Sequence, residues 1–273
     1  MDQQTHTGCL QAINLRIDKI SMKIQSLERG LDVMELLNAS QEPLGTREIS
    51  RQLGLSPAIV QRLLNTLTEK HYLRRDPVTR QYSTGYQTLN MGAGLMARDT
   101  LLLEARKELQ HLADSMRIDG YLGVLQDKTP MYLLCIDGKR PVTVRVLPGS
   151  PIGLHNTAIG KAILSSFPDE KALELLRTEP LEQSTAKTIT DPEQLVASLH
   201  RIRTDGYVLI EDEQVEGISS VGAPVGDVSG QVRAAISVAY SMHFSPDLDL
   251  KDVISAILGA ASRITRNCGF RSG

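Results

Sequence analysis

Gln61, Arg62 and Asn65 stand close together in LGLSPAIVQRLLNTLTEKHYLRR, residues 53–75. Side-chain amides pair bidentately with adenine, a guanidinium pairs with guanine, and small apolar groups such as Ala58 fit thymine methyls. That is chemistry for reading base edges in the major groove of duplex DNA. Arg74, Arg75 and Arg80 follow shortly after. Arginines there suit phosphate oxygens, which position a protein without reading sequence. Three Phe and no Trp disfavour single-strand binding by base stacking.

Catalytic chemistry finds no comparable set. GAGLMA at 92–97 fits G-x-G-x-x-A, but it follows no strand and lies in a helical pattern, so it is not a dinucleotide turn. IGKA at 159–162 resembles the end of a phosphate-binding loop, yet His155 stands where a glycine is required and Ala162 where a hydroxyl is required. GISSVG is not the G-x-S-x-G of a nucleophile elbow. The six histidines show no HxxxH spacing, and His155 reads as a hydrogen-bonded structural residue. Asp212 and Glu213 read either as paired carboxylates or, more simply, as a charged strand end. No catalytic residue, metal site or cofactor is expected. A competing reading is a small-molecule binding or enzymatic module whose N-terminal helices serve only dimerisation. It predicts no sequence-specific DNA binding by the whole chain.

The elements that would position these residues can be read from periodicity. Val60, Leu63, Leu64 and Leu67 recur at i, i+3, i+4, i+7 and bury one face of a helix. Ser56 is its natural N-cap and Pro57 its natural first residue, because proline's missing N–H costs nothing there. Upstream, Thr46 is expected to cap a short helix, REISRQLG, that buries Ile49 and Leu53 and stops at Gly54. Helix, glycine-containing turn, helix is the helix-turn-helix arrangement. Ala58, Ile59 at the rim, Gln61, Arg62 and Asn65 then face outward, with Thr46 and Ser56 at the helix starts completing the candidate contact set. YLRRDPVTRQYS alternates around an Asp-Pro turn, as a two-stranded wing would, carrying Arg74, Arg75 and Arg80. Ahead of this lies an amphipathic helix with Ser26 as cap and Leu27, Leu31, Met34 and Leu37 as its buried stripe.

Residues 1–25 are expected to be a disordered extension, with Met22 offering an alternative start. Residues 26–83 form the helix-turn-helix and wing, 84–98 a linker helix, and 99–273 a second domain. In that domain YLGVLQ, MYLLCID and TVRVL read as strands, then AIGKAILSSF, DEKALELLRT and DPEQLVASLHRIRTDG as helices. YVLIEDE and QVRAAISVAYS read as strands flanking a Gly-rich GISSVGAPVGDVSG, and a long amphipathic helix closes the chain. The absence of a regular βαβ alternation indicates an α+β fold on an antiparallel sheet.

Composition sets the outer bounds. A chain of 273 residues with 41% hydrophobic and 23% charged residues suits two soluble domains. No apolar run approaches a membrane span, and the N-terminus has no signal-peptide pattern. Three cysteines far apart suit a reducing cytoplasm and no zinc ribbon. The net charge of −2 is split: residues 1–86 carry 11 Lys/Arg against 9 Asp/Glu, the rest 19 against 23. That asymmetry alone is only a solvated surface.

SLERGLDVMELL, REISRQLGLSPAIVQRLLNTL, GLHNTAIGKAILSSFP and DGYVLIEDEQVEGISSVGAPVGDVSGQVRAAISVA occur in this order and spacing, and together resemble the IclR family of bacterial transcriptional regulators over about residues 26–270. The resemblance implies a winged helix-turn-helix domain, a linker helix and a C-terminal effector-binding domain with a GAF-like fold. It also implies a palindromic double-stranded operator bound by a homodimer or tetramer, a small catabolic operon, and a small organic acid, a carboxylate, as effector. Carried over by position, the backbone N–H groups of Ala158 and Ile159 would hold the effector carboxylate, in keeping with helix N-termini as anion sites. The polar pocket positions fall on Asp212, Ser220 and Ser237. Ser220 stands where relatives often have Cys, and Ala239 where a second serine can occur. In the recognition helix, relatives usually read Pro-Lys-Ser-Thr-Val-His-Arg-Leu-Leu; here Ser-Pro-Ala-Ile-Val-Gln-Arg-Leu-Leu keeps Arg62 and loses a lysine and a histidine, so a different operator is expected.

Overall fold

The computed structural model describes residues 24–126, 128–178, 180–226 and 233–269. The expected extension therefore lies outside the described residues, except for its last two positions. The chain divides into two compact units, the first ending at Leu95 and the second beginning at Met96.

The first unit contains α1 (Gln25–Ala39), α2 (Thr46–Leu53), α3 (Pro57–Glu69), β1 (Leu73–Arg75) and β2 (Tyr82–Thr84). Its core gathers Val33, Leu37, Ile49, Val60, Leu64, Leu73 and Tyr82. Burying each such side chain contributes roughly 1.5–3 kcal/mol. The chain leaves α2 through Gly54 at φ 63°, a left-handed cap that a side chain would strain. β1 and β2 pair antiparallel as the wing, and Leu44 exchanges both backbone hydrogen bonds with Tyr82 to tie the wing to the α1–α2 connection. Two expectations about α1 are corrected. Ile24, not Ser26, precedes the helix, and no side chain caps it. The buried stripe is Gly30, Val33 and Leu37, while Leu27 and Leu31 are 59% and 50% exposed. The helix carries two apolar stripes, and packing on α2 and α3 selects only one. After the wing, α4 (Tyr86–Met96) buries none of its residues.

The second unit runs α5 (Thr100–Met116), β3 (Asp119–Gln126), β4 (Thr129–Ile136), α6 (Ala158–Ser165), α7 (Asp169–Leu176), α8 (Pro192–Asp205), β5 (Val208–Glu211), β6 (Ile218–Val225), β7 (Arg233–Ser241) and α9 (Leu250–Asn267). The strands form one antiparallel sheet in the order β4-β3-β7-β6-β5. Alternation along the strands feeds two cores. Leu122, Val124, Val221, Ile236 and Val238 pack with α5 and α9. Tyr121, Leu125, Ala235 and Ala239 pack with α6, α7 and α8 on the other face. This is the expected α+β architecture, built as helix layers on both faces of an antiparallel sheet.

Three departures bear on the site. TVRVL is not a strand: Val144 N–H is taken by Asp119 Oδ2 (3.3 Å) and Val144 C=O accepts from the Tyr121 hydroxyl (2.6 Å), so its backbone is bonded to side chains. The start of the Gly-rich segment is a strand, β6, between β5 and β7; its continuation at 227–232 lies outside the described residues. In β4 the register slips, Leu122 facing Leu134 but Gly123 facing Tyr132. That bulge turns Tyr132 onto the α6 face of the sheet. Among the described residues, no helix is long and apolar enough to cross a membrane.

Candidate functional sites

The recognition helix is built as its sequence demands. Ser56 is extended at φ −67°, ψ 145°, its hydroxyl accepts from Ile59 N (3.4 Å), and Pro57 opens α3. Val60 and Leu64 are fully buried, and Leu63 and Leu67 partly so. Ala58, Arg62 and Asn65 are exposed, with Ile59 and Gln61 half-buried beside them. Thr46 is corrected from cap to first helical residue of α2, because Gly45 supplies the extended cap position. The Thr46 hydroxyl instead donates to Gln61 Oε1 (3.1 Å).

Gln61 is a second correction. Its Nε2 donates to Asn65 Oδ1 (2.8 Å) and to the Tyr82 hydroxyl (3.1 Å). An amide has two protons to give, and both are spent inside the domain, so Gln61 cannot pair bidentately with adenine in this arrangement. On the wing, Arg74 donates to Ser83 Oγ (2.8 Å) and lies 5.7 Å from the Tyr86 ring centroid; Arg75 lies 5.7 Å from that of Tyr82. Arg80 is exposed in the turn at φ 59°. Asp76 closes that turn by accepting from Val78 N and Thr79 N, and these backbone bonds, Thr79's first, lower its pKa below the usual 3.8.

The second site lies at the N-terminus of α6. Thr157 caps the helix by accepting from Gly160 N (2.9 Å) while donating to Gly153 C=O (2.7 Å). All eight residues of α6 are buried. The amides of Ala158 and Ile159 have no acceptor among the described residues. They border a cavity of about 20 Å³ that Tyr121, Tyr132, Ser220, Ser237, Ala239, Val144, Val146, Gln214 and Ile218 also line. Two glycines permit this seating: a Cβ on Gly160 would meet Gly153 O at 2.3 Å, and one on Gly222 would meet Ala158 O at 2.9 Å. Burial pushes Tyr132 up to about 12, and Tyr121 higher still, so both phenols stay protonated donors at neutral pH.

Of the expected pocket residues, Ala158, Ile159, Ser220 and Ser237 come together around this cavity. Asp212 does not, and this is a third correction. At φ 62° its carboxylate turns away to accept from Gly217 N (2.6 Å) and Lys187 Nζ (2.7 Å), with Lys187 the main cause of a lowered pKa. Its role is to hold the turn that carries Gln214 to the cavity wall. Tyr121, Tyr132 and Gln214 were not foreseen; the bulge and the turn that aim the last two leave no periodic signal.

Lys161 was also missed. It is 3% exposed and bonds both carboxylate oxygens of Glu213 (2.7 and 2.5 Å). Burial lowers its pKa, against the opposing pull of Glu213. A lone lysine inside AIGKAIL was the available clue, since a buried ammonium needs a carboxylate. Larger clefts of about 480 and 250 Å³ exist, but their most buried ionisable groups are already partnered. His155 bonds Glu182 C=O (2.8 Å) in the first, and Lys161 bonds Glu213 in the second.

A winged helix-turn-helix joined to an antiparallel-sheet domain with a small hydroxyl-lined cavity defines the class of DNA-binding regulators. Residues 26–77 match the IclR helix-turn-helix domain and residues 95–266 the C-terminal domain of bacterial transcriptional regulator IclR. The chain belongs to the IclR family of bacterial transcriptional regulators. It is 30% identical over 242 residues to the HTH-type transcriptional regulator BhcR of Paracoccus denitrificans, covering 89% of this chain and 86% of that one. The IclR transcriptional regulator of Alicyclobacillus acidocaldarius superposes with a TM-score of 0.77 at 25% identity, over 90% of this chain and all of that one. An IclR homologue from Microbacterium hydrocarbonoxydans complexed with 4-hydroxybenzoate gives a TM-score of 0.75 at 20% identity, over 89% and 99% of the two chains. Its relatives are named regulators, not enzymes, and the chain is a transcriptional regulator with a DNA-binding and an effector-binding domain.

Proposed function

We propose that residues 26–83 read a palindromic operator, that 84–98 link the domains, and that 99–273 sense a small organic acid controlling a catabolic operon in the cytoplasm. The observation that carries the sensing half is the pair of unsatisfied amides, Ala158 and Ile159, at the buried start of α6. A helix N-terminus offers oriented N–H groups and a positive end to an anion. Tyr132, Ser220 and Ser237 add hydroxyls that orient the rest of the molecule. The 4-hydroxybenzoate in complex with the Microbacterium homologue, a carboxylate, is in keeping with this chemistry. A cavity of about 20 Å³ has room for about one water. Binding an organic acid therefore separates its walls, and a ligand that favours the widened form shifts the protein between DNA-competent and DNA-incompetent arrangements.

Outward Arg62 and Asn65, with three exposed wing arginines, support the DNA-reading half. The exposed apolar residues Leu27 and Leu31 on α1, with Ile24 just ahead of it, supply surface for a homodimer or tetramer, because contiguous apolar patches of this kind mark contacts. Selection of the purified full-length protein on a random duplex library at near-physiological salt tests the reading. Recovery of one palindromic motif, with half-sites about one helical turn apart or a multiple, is expected. Recovery of no enriched sequence overturns it. With that operator in hand, small carboxylic acids including 4-hydroxybenzoate are titrated beside their amides, and only acids should change operator affinity.

A further inference from the structure

Gln61 and Asn65 lie one turn apart on the same helix and carry the same functional group, yet the structure treats them differently. An amide side chain has four bonding sites, two protons and two oxygen lone pairs. Gln61 has used three: its protons go to Asn65 Oδ1 (2.8 Å) and Tyr82 Oη (3.1 Å), and its oxygen takes the Thr46 hydroxyl (3.1 Å). Asn65 has used one, the lone pair that Gln61 occupies. Both Asn65 Nδ2 protons and its second lone pair have no partner among the described residues, and the side chain is exposed. Gln61's partners belong to α2, α3 and β2, so its amide ties three elements at one point. Tyr82 in turn is 2% exposed and fixed in the core, with the Arg75 guanidinium over its ring.

The geometry points to a division of labour: Asn65 reads a base, and Gln61 is a positioning residue that holds the Asn65 amide and locks the wing to the recognition helix. The assignment rests on the reading of α3 as the DNA-reading helix, and deepens it by naming the base. Adenine presents N7 as an acceptor and N6 as a donor in the major groove, so a bidentate partner must give one proton and accept another. Asn65 retains both capacities. Gln61 has no proton left, and freeing one would strip a hydrogen bond from Tyr82 or from Asn65 itself. Thr46 acts at one further remove, by orienting Gln61.

Library selection with wild type, Asn65→Ala, Gln61→Ala, Tyr82→Phe and Thr46→Val tests this. Asn65→Ala should flatten an adenine preference at one position of each half-site, by roughly 5- to 150-fold in discrimination. Gln61→Ala should weaken base preference at that same position, because its effect on base choice passes through Asn65, while the loosened contact with Tyr82 lowers affinity alike for all sequences. Tyr82→Phe keeps the buried ring and Thr46→Val keeps the volume, and each should weaken the same position by less. These two carry the test should Gln61→Ala fail to fold. The inference is overturned if Gln61→Ala erases preference at a different base pair, or if Asn65→Ala leaves the motif unchanged. A wild type that selects no motif would instead overturn the DNA-reading function, and this assignment with it.

Discussion

Helices α3 and α6 start alike and end up doing opposite things. Each follows an extended hydroxyl cap, Ser56 or Thr157, whose oxygen takes the N–H three residues on, and each continues with alanine or isoleucine near its first turn. On α3 Pro57 removes one N–H, Ser56 accepts that of Ile59, and Ala58 lies exposed to solvent. On α6 the cap is 4% exposed and every helical residue is buried, so the Ala158 and Ile159 amides face only a small cavity. Water makes a free N–H inexpensive; burial makes it costly until something accepts from it. The same local signal thus yields an outward face, proposed to read bases, in one domain and an inward one, proposed to take an anion, in the other. Burial, a non-local property, decides between them.

The contrast is most severely tested at Lys161. Glu213→Gln leaves its ammonium buried without a counter-charge and should cost about 3–5 kcal/mol in chemical denaturation, whereas the joint change Lys161→Met with Glu213→Leu should recover most of it. A cost-free Glu213→Gln would mean that α6 is wetter than the contrast requires. On the exposed helix, Arg62→Ala should weaken operator binding by about 1–3 kcal/mol at matched salt while leaving thermal stability unchanged. An unaltered dissociation constant would remove Arg62 from the reading face. The caps themselves give a smaller comparison: Thr157→Ala should cost about 1–2 kcal/mol of folding stability and Ser56→Ala about 0.5. The reverse order would break the parallel.

The smallest effect is a difference in titration. Hydrogen bonds from Thr79 N and Val78 N lower the pKa of exposed Asp76, so the stability it lends the wing turn is present above the ordinary 3.8 and lost as pH falls through its own lower value. Burial raises that of Asp119, against the bonds it accepts from Gly138 N and Val144 N. The penalty of burying its charge stands above its own raised value and is relieved as pH falls through it. Carboxylate titration by NMR should find Asp119 protonating above 3.8 and Asp76 below it.

The sequence made the α3 face legible because an exposed amphipathic helix writes its burial in a 3.6-residue period. It showed the cap at Ser56 through the Ser-Pro pair that opens α3. Where two apolar stripes compete, as on α1, only the neighbouring helices choose. TVRVL alternates like a strand, but Asp119 and Tyr121 intercept its backbone. GISSVGAPV looks like a loop because glycine and proline are poor strand formers, yet pairing with β5 on one side and β7 on the other makes it a strand, with Gly222 giving room to α6. Asp212 is carried over by position from the family resemblance, and a left-handed backbone turns its carboxylate aside. Gln61 has the chemistry of a base reader, and only its three partners show how that chemistry is spent.

Gly160 and Gly222 leave α6 wedged against main chain on two sides, so the two amides of the socket hold a fixed station over the sheet. Their recognition is written in backbone and is blind to side-chain substitution. If the proposed sensing holds at this socket, exchange of Ser220, Ser237 or Ala239 trades one ligand for another while the demand for a negative end is kept. The outward face of α3 carries no such inheritance, since its letters are all side chains. On the proposed reading, a lineage built on this plan is free to acquire new operators while remaining a detector of acids.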